Sequence, residues 1–246
     1  MNTPRTTNET FAEKLRGVSR RLGLTLVIGL VLAAGALFLF AMLANEVAEG
    51  DAQRFDDWVR GGVHQVASPT LTSGMRIVTV LGKPALLFGL SLVASLVFLA
   101  RKNYRAAIML VVAMAGSTLL DTVLKLSFRR ARPTPFFDTS VPSSFSFPSG
   151  HALVSFCFYS IMAALISART RSRAVRVIVW ALAALLVMLI GFSRIYLGVH
   201  YPTDVLAGYA AALIWVIIVG VVDHALRSRT DPSGTLEQND KTRRVD

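Results

Sequence analysis

The sequence predicts an all-α membrane protein, a bundle of six transmembrane helices with a short interfacial amphipathic helix in the first outer loop. Hydrophobic residues make up 53% of the 246 positions and charged residues only 17%. The mean hydropathy is +0.54, which lies outside the balance of a soluble domain. Apolar runs recur at about the 20-residue length that a helix needs to cross a bilayer. We therefore expect one compact membrane domain.

Six apolar runs are predicted to span the membrane. They are residues 22–44, 84–100, 106–126, 151–167, 174–192 and 203–222. The first is too long for the core of a cleaved signal peptide and lacks a clear small-residue cleavage site, so we interpret it as an uncleaved span. The predicted organisation is therefore a tail (1–21), a six-span domain (22–223) and a polar, disordered tail (224–246).

The distribution of basic residues predicts the orientation. Lys and Arg cluster before the first span and after the second, fourth and sixth spans, which places both termini in the cytoplasm if the protein sits in the cytoplasmic (inner) membrane. The clustering also accounts for the net charge of +11 without a nucleic-acid partner. Arg129, Arg130 and Arg132 are the exception, because the same arrangement places them outside. Such an exception suggests a functional explanation.

The first outer loop contains a pattern typical of a short amphipathic helix. Apolar positions recur at helical spacing opposite Asp56, Asp57 and Arg60. These positions are Phe55, Trp58, Val59, Gly62, Val63 and Val66. We expect this helix to lie flat at the membrane interface, either as an anchor or as a wall that guides lipid.

Three polar clusters carry the chemistry, and the first is the pair Lys125 and Arg132. Seven residues separate them, so on a helix that continues past the third span, until Pro133 ends it, they would share one face. A lysine and an arginine directed at one point suit a phosphate. Basic residues at the end of a span also occur simply as interfacial anchors.

The second cluster is Pro148, Ser149, Gly150 and His151, where a loop gives way to the fourth span. A helix N-terminus offers free N–H groups to phosphate oxygens, Gly150 permits close approach, and Ser149 adds a hydroxyl. The alternative is a helix cap followed by an interfacial histidine.

The third cluster, Ser193, Arg194, His200 and Asp204, joins the fifth span to the sixth. Asp204 is four residues from His200, close enough to hold one ring nitrogen and leave the other as a nucleophile. The predicted topology brings all three clusters to the same side of the membrane. They can therefore form one site.

The segments KLSFRRARP (125–133), PSGH (148–151) and SRIYLGVHYPTD (193–204) match, in order, the three signature motifs of the type-2 phosphatidic acid phosphatase superfamily. The chain resembles its bacterial membrane lipid phosphatases over residues 22–223. The resemblance implies that His200 attacks phosphorus to form a phosphohistidine, Asp204 orients it, and His151 protonates the leaving group. It implies no metal or other cofactor. The phosphate-binding residues it implies are Lys125, Arg132, Ser149, Gly150 and Arg194.

The expected function is therefore hydrolysis of the terminal phosphate of a membrane lipid at the outer, periplasmic surface. Undecaprenyl diphosphate, phosphatidylglycerol phosphate and phosphatidate fit equally, because the motifs contact the phosphate and not the tail. The oligomeric state stays open. Two alternatives are an anion transporter or non-catalytic scaffold, and a vanadate-dependent haloperoxidase. Charges concentrated at one membrane face argue against the transporter, and six spans argue against the haloperoxidase.

One further charged residue lies inside a predicted span. Asp121 precedes Lys125 by one helical turn, so we expect an ion pair within the helix.

Overall fold

The structure is a computed structural model that describes residues 7–137 and 143–230, with side chains described for 27–137 and 143–227. All regular secondary structure in these ranges is helical. The elements are α1 (Thr7–Glu49), α2 (Ala52–Gln65), α3 (Pro69–Val80), α4 (Pro84–Ala100), α5 (Tyr104–Phe128), α6 (Gly150–Ser167), α7 (Arg173–Tyr196) and α8 (Pro202–Thr230).

Five helices in the described ranges are long and apolar enough to cross a membrane: parts of α1 and α8, and the whole of α5, α6 and α7. The remaining predicted span, α4, passes the same test only together with α3, from which it is bent by 45°. The predicted class, an all-α multi-pass membrane protein, is confirmed, with up to six spans.

The ends of the chain differ from the predicted boundaries. Helix α1 already begins at Thr7, inside the predicted N-terminal tail, and α8 continues to Thr230. Residues 224–230 are therefore helical, in contrast to the expected disordered tail. The rest of that tail, residues 231–246, lies outside the described residues.

The core lies along α6, which packs against α5, α7 and α8. Leu87, Leu110 and Leu153 are fully buried there, and the indole N–H of Trp215 donates to the carbonyl of Ala113 at 3.0 Å. On the outer helices many large apolar side chains are exposed, for example Phe38 at 74%. An apolar exterior of this kind suits contact with lipid tails.

Helix α2 is the predicted amphipathic helix, and its two faces separate as expected. Phe55, Trp58 and Val66 are exposed, whereas Asp56 and Arg60 are buried against the protein. These two charged side chains turn inwards because they have partners there: Asp56 pairs with Arg130, and Arg60 donates to two backbone carbonyls. The third charged residue of this face, Asp57, stays exposed. The apolar face is left to the membrane interface.

The three motifs lie where helices begin and end. Helix α5 ends at Phe128 because Arg129 adopts a left-handed conformation (φ 48°). The expected helical continuation to Arg132 is therefore wrong, and Arg132 lies in the following loop. Helix α7 ends at Tyr196, and Gly198 then turns the chain with φ 73°. A side chain at Gly198 would be strained and would collide with Phe136. We call this end, where α5 and α7 end and α6 and α8 begin, the motif end.

Candidate active site

A cavity of about 470 Å³ opens at the motif end, and all three motifs contribute to its wall. The predicted site residues on this wall are Lys125, Arg132, Gly150, His151, Arg194 and His200. The rest of the wall is Pro84, Asp121, Thr122, Leu126 and Ser143–Phe145. The described residues therefore place three cations, two histidines and one helix N-terminus around one space. Such a space suits a polyanion.

His200 is 1% exposed, and both of its ring nitrogens have partners. Nδ1 lies 3.2 Å from Oδ2 of Asp204, and Nε2 lies 2.9 Å from Nη1 of Arg132. A guanidinium can only donate, so Nε2 must accept and the proton must sit on Nδ1. This assignment follows from the partners. Nε2 is therefore the unprotonated nitrogen, whose lone pair accepts from Arg132, and His200 lines the cavity.

Asp204 is fully buried behind His200 and contributes no atom to the cavity wall. Its Oδ2 also accepts from the N–H of Tyr201 at 2.9 Å and from the hydroxyl of Ser146. Asp204 is the third residue of α8 and Tyr201 precedes that helix, so the carboxylate caps the helix start as the acidic half of a capping box does. The cap fixes the carboxylate that orients His200.

Burial is the main cause that lowers the pKa of His200 to about 4. The hydrogen bond and charge of Asp204 oppose the shift, and the nearby charges of Arg132 and Arg194 add to it. Burial also lowers the pKa of Arg132, although the charges of Asp204 and Asp121 raise it in part. His200 is therefore neutral near pH 7, as a nucleophile must be.

The cations around the cavity are held by neighbouring side chains. Nζ of Lys125 lies 2.7 Å from Oδ2 of Asp121, which confirms the expected pair within α5. Nη1 of Arg194 donates to the hydroxyl of Thr79 at 2.7 Å. A Cβ at Gly150 would lie 2.9 Å from Nζ of Lys125, so a side chain there would displace the lysine from its place beside the start of α6.

His151 lies in the first turn of α6, and its Nε2 is buried without a hydrogen-bond partner in the described structure. Nε of Arg194 and Oδ1 of Asp121 share this condition. All three residues line the cavity. Buried polar atoms normally have partners, so these atoms are suited to a bound molecule.

Ser149 differs from the other predicted phosphate ligands. It is fully buried, it does not line the cavity, and its hydroxyl accepts from the N–H of Ala152 at 3.5 Å. The hydroxyl acts as the N-cap of α6, which is the simpler interpretation of the second motif for this residue.

Helices α2 and α3 support the site in a way that was not predicted from the sequence. Asp56 on α2 contacts Arg130 and Thr203, and Thr79 on α3 holds Arg194. The only signal in the sequence was the charged face of the amphipathic helix, for which no partner was predicted. No residue of α2 lines the cavity, so the predicted wall role has no support in the described residues.

The fold and the site together define a multi-pass membrane protein with an anion-binding cavity that holds two histidines. A family model described as the PAP2 superfamily matches residues 106–227. The chain is 32% identical to phosphatidylglycerophosphatase B of Bacillus subtilis over 195 residues, which are 78% of this chain and 95% of that protein. The chain belongs to the PAP2 superfamily, the type-2 phosphatidic acid phosphatases.

Two further likenesses agree with this assignment. A crystal structure of a transmembrane PAP2-type phosphatidylglycerolphosphate phosphatase from Bacillus subtilis matches with a TM-score of 0.72 and 30% identity, covering 78% of this chain and 96% of that one. An undecaprenyl-diphosphatase of Sulfolobus acidocaldarius is 28% identical over 134 residues, which are 52% of this chain and 60% of that protein.

Proposed function

We propose that this chain is an integral membrane lipid phosphatase that removes the terminal phosphate of a lipid phosphate or diphosphate through a phosphohistidine. The observation that carries the proposal is the pairing of the two ring nitrogens of His200. Its Nδ1 contacts Asp204, and its Nε2 contacts Arg132. This arrangement presents a neutral histidine lone pair beside three cations. The relatives named above are phosphatases of lipid substrates, which supports the same reaction class.

In the first step, Nε2 of His200 attacks phosphorus and the bond from phosphorus to the lipid oxygen breaks. Arg132 turns from Nε2 to a phosphate oxygen as the substrate enters. The leaving oxygen takes a proton from His151, which yields a free lipid alcohol or, from a diphosphate, a lipid monophosphate. Asp204 stabilises the positive charge that develops on the His200 ring.

In the second step, a water molecule attacks the phosphohistidine and gives its proton to His151. The bond from Nε2 to phosphorus breaks and inorganic phosphate leaves, so both histidines return to their starting states. Lys125, Arg132, Arg194 and the N–H groups at Gly150 neutralise the charge on the phosphate oxygens in both steps. These fixed cations supply the charge stabilisation that a metal ion supplies in other phosphatases.

Access from the side fits a substrate that stays in the membrane. The lining of the cavity includes Thr122 and Leu126 of α5, and Leu126 is 56% exposed. A head group could enter between these residues and Phe145 while its tail remained in lipid. The proposal places the protein in the cytoplasmic membrane with both termini inside and the site outside.

The decisive experiment measures phosphate release by the purified protein in detergent micelles. The panel is phosphatidylglycerol phosphate, phosphatidate and undecaprenyl diphosphate, and the control is the His200→Asn variant. We expect release from at least one lipid by the native chain only, and a phosphoenzyme that is labile to acid and stable to base. If no lipid is hydrolysed, or if His200→Asn keeps full activity, the proposal is wrong.

A further inference from the structure

Asp56 is a buried carboxylate outside the three motifs. It is 0% exposed although it lies on the surface helix α2. Its Oδ1 accepts from the N–H of Thr203 at 3.0 Å, and its Oδ2 accepts from the hydroxyl of Thr203 at 2.7 Å. Thr203 is the second residue of α8, so α2 supplies a carboxylate to the N-terminus of α8, where free N–H groups and the helix dipole favour negative charge.

Arg130 connects this carboxylate to Asp204. Nη2 of Arg130 lies 2.7 Å from Oδ2 of Asp56, and Nη1 lies 2.8 Å from Oδ1 of Asp204. The guanidinium also stacks on the ring of Tyr201, 4.0 Å from its centre. The side chain of Arg130 is only 11% exposed, so one cation sits between two buried carboxylates.

This arrangement divides the two oxygens of Asp204 between two tasks. Arg130 occupies Oδ1, and Oδ2 is left to face Nδ1 of His200 at 3.2 Å. On this basis, and given the proposed phosphatase reaction, we propose that Asp56 and Arg130 are positioning residues for the nucleophile. They hold the Asp204 carboxylate in the orientation and charge state that His200 requires. Neither residue lines the cavity.

Charge reasoning gives the pair opposite effects on His200. Arg130 draws electron density from Asp204 and makes it a weaker partner for the imidazolium, and Asp56 offsets this by neutralising Arg130. The other charged or titratable groups around His200 come from the remaining helices and loops. They are Arg132 after α5, Lys125 on α5, His151 on α6, Arg194 on α7 and Asp204 itself on α8. None of them is changed by substitution of Asp56 or Arg130.

Three variants and one control test the proposal. The variants are Asp56→Asn, Arg130→Gln and the double substitution. The control is Asp57→Asn, because Asp57 is the next residue of the same helix, carries the same charge and has a side chain 56% exposed. The measurements are kcat, KM and the pKa of His200. The pKa is measured by NMR of the ¹⁵N-labelled histidines during a pH titration. The chain has four histidines, and the His200→Asn variant assigns the signal.

We expect Asp56→Asn to lower kcat by about 10- to 100-fold, as a small misplacement of a reacting group does, with KM within about twofold of native. The His200 pKa should fall in Asp56→Asn and rise in Arg130→Gln. The double variant should lie between them in pKa. It should exceed Arg130→Gln in kcat, because it leaves one buried carboxylate without Arg130, whereas Arg130→Gln leaves two. Asp57→Asn should match the native chain in every measurement.

The proposal is overturned if Asp56→Asn equals Asp57→Asn in kcat and in the His200 pKa, or if its whole effect falls on KM. If a single variant does not fold, the double variant provides the test, since native kcat in that protein would contradict the positioning role. The NMR titration needs no substrate. Failure of the native chain to hydrolyse any lipid would therefore refute the proposed function and leave the positioning test standing.

Discussion

The two ends of the bundle both carry an aspartate paired with arginines, but they differ in burial. At the motif end, Arg130 joins Asp56 and Asp204, and both carboxylates are fully buried. At the opposite end, Asp223 of α8 pairs with Arg105 at 2.5 Å and with Arg227 at 2.7 Å. These two arginine side chains are 41% and 56% exposed. The geometry is similar, and the surroundings are not.

The difference in burial determines how much each ion pair contributes to stability. An exposed pair between long side chains contributes about 0–1 kcal/mol, because water screens the charges and solvates either partner left alone. A buried pair adds little net stability, but removal of one partner leaves an uncompensated charge that costs about 3–5 kcal/mol. The opposite end can therefore lose its aspartate cheaply, whereas the motif end must keep its charges balanced around His200.

The largest expected effect concerns the nucleophile at the motif end. His200→Asn keeps a polar side chain of similar size but removes the attacking Nε2, and we expect phosphate release to fall by about 10⁴-fold or more. Burst-phase trapping with a labelled lipid phosphate should detect phosphoenzyme in the native chain and none in the variant. Phosphoenzyme trapped in His200→Asn would show that a different residue is the nucleophile.

A smaller loss is expected for the general acid. His151→Gln should reduce hydrolysis of a lipid phosphate by about 10²- to 10⁴-fold, because an alkoxide leaving group needs a proton. A substrate with a good leaving group, such as an aryl phosphate, needs no such proton, so the reduction of its kcat by His151→Gln should be markedly smaller. Steady-state kcat on both substrates measures this. Equal losses on the two would argue against His151 as the proton donor.

The third prediction concerns protonation of His200. In the free protein its pKa is lowered to about 4, so it should be neutral at pH 7 and gain a proton only as the pH falls through about 4. A bound phosphate brings negative charge, which favours the imidazolium and should raise the pKa. Histidine NMR with and without inorganic phosphate tests both statements. A His200 pKa near 6.5 in the free protein would contradict the neutral, buried ring.

The smallest effect is expected at the opposite end. Asp223→Asn should lower the free energy of unfolding by about 1 kcal/mol or less and leave kcat and KM at native values, because Arg105 and Arg227 can both reach water. Thermal unfolding in micelles, compared with Asp56→Asn, measures the contrast between the two ends. A larger loss of unfolding free energy in Asp223→Asn than in Asp56→Asn would contradict this contrast between the two ends.

Much of the candidate site was predictable, because its residues have fixed spacing and follow apolar runs of a recognisable length. The ion pair of Asp121 and Lys125 followed from helical spacing alone. The position of Arg132 did not follow from helical spacing, because the end of α5 depends on the left-handed conformation of Arg129 and on the contacts of its neighbours. Ser149 could be placed at the start of α6, but only the structure shows its hydroxyl engaged as the helix cap.

The sequence by itself determined the helical class, the membrane location of the bundle and the identity of the residues that meet at the motif end. Hydrophobic length and local spacing carry that information, because they act over a few helical turns. Only the tertiary structure decided that Asp56 and Arg60 of α2 turn inwards and that Asp56 reaches Asp204 through Arg130. Residues 74 positions apart make these contacts, and local spacing carries no information on such pairs.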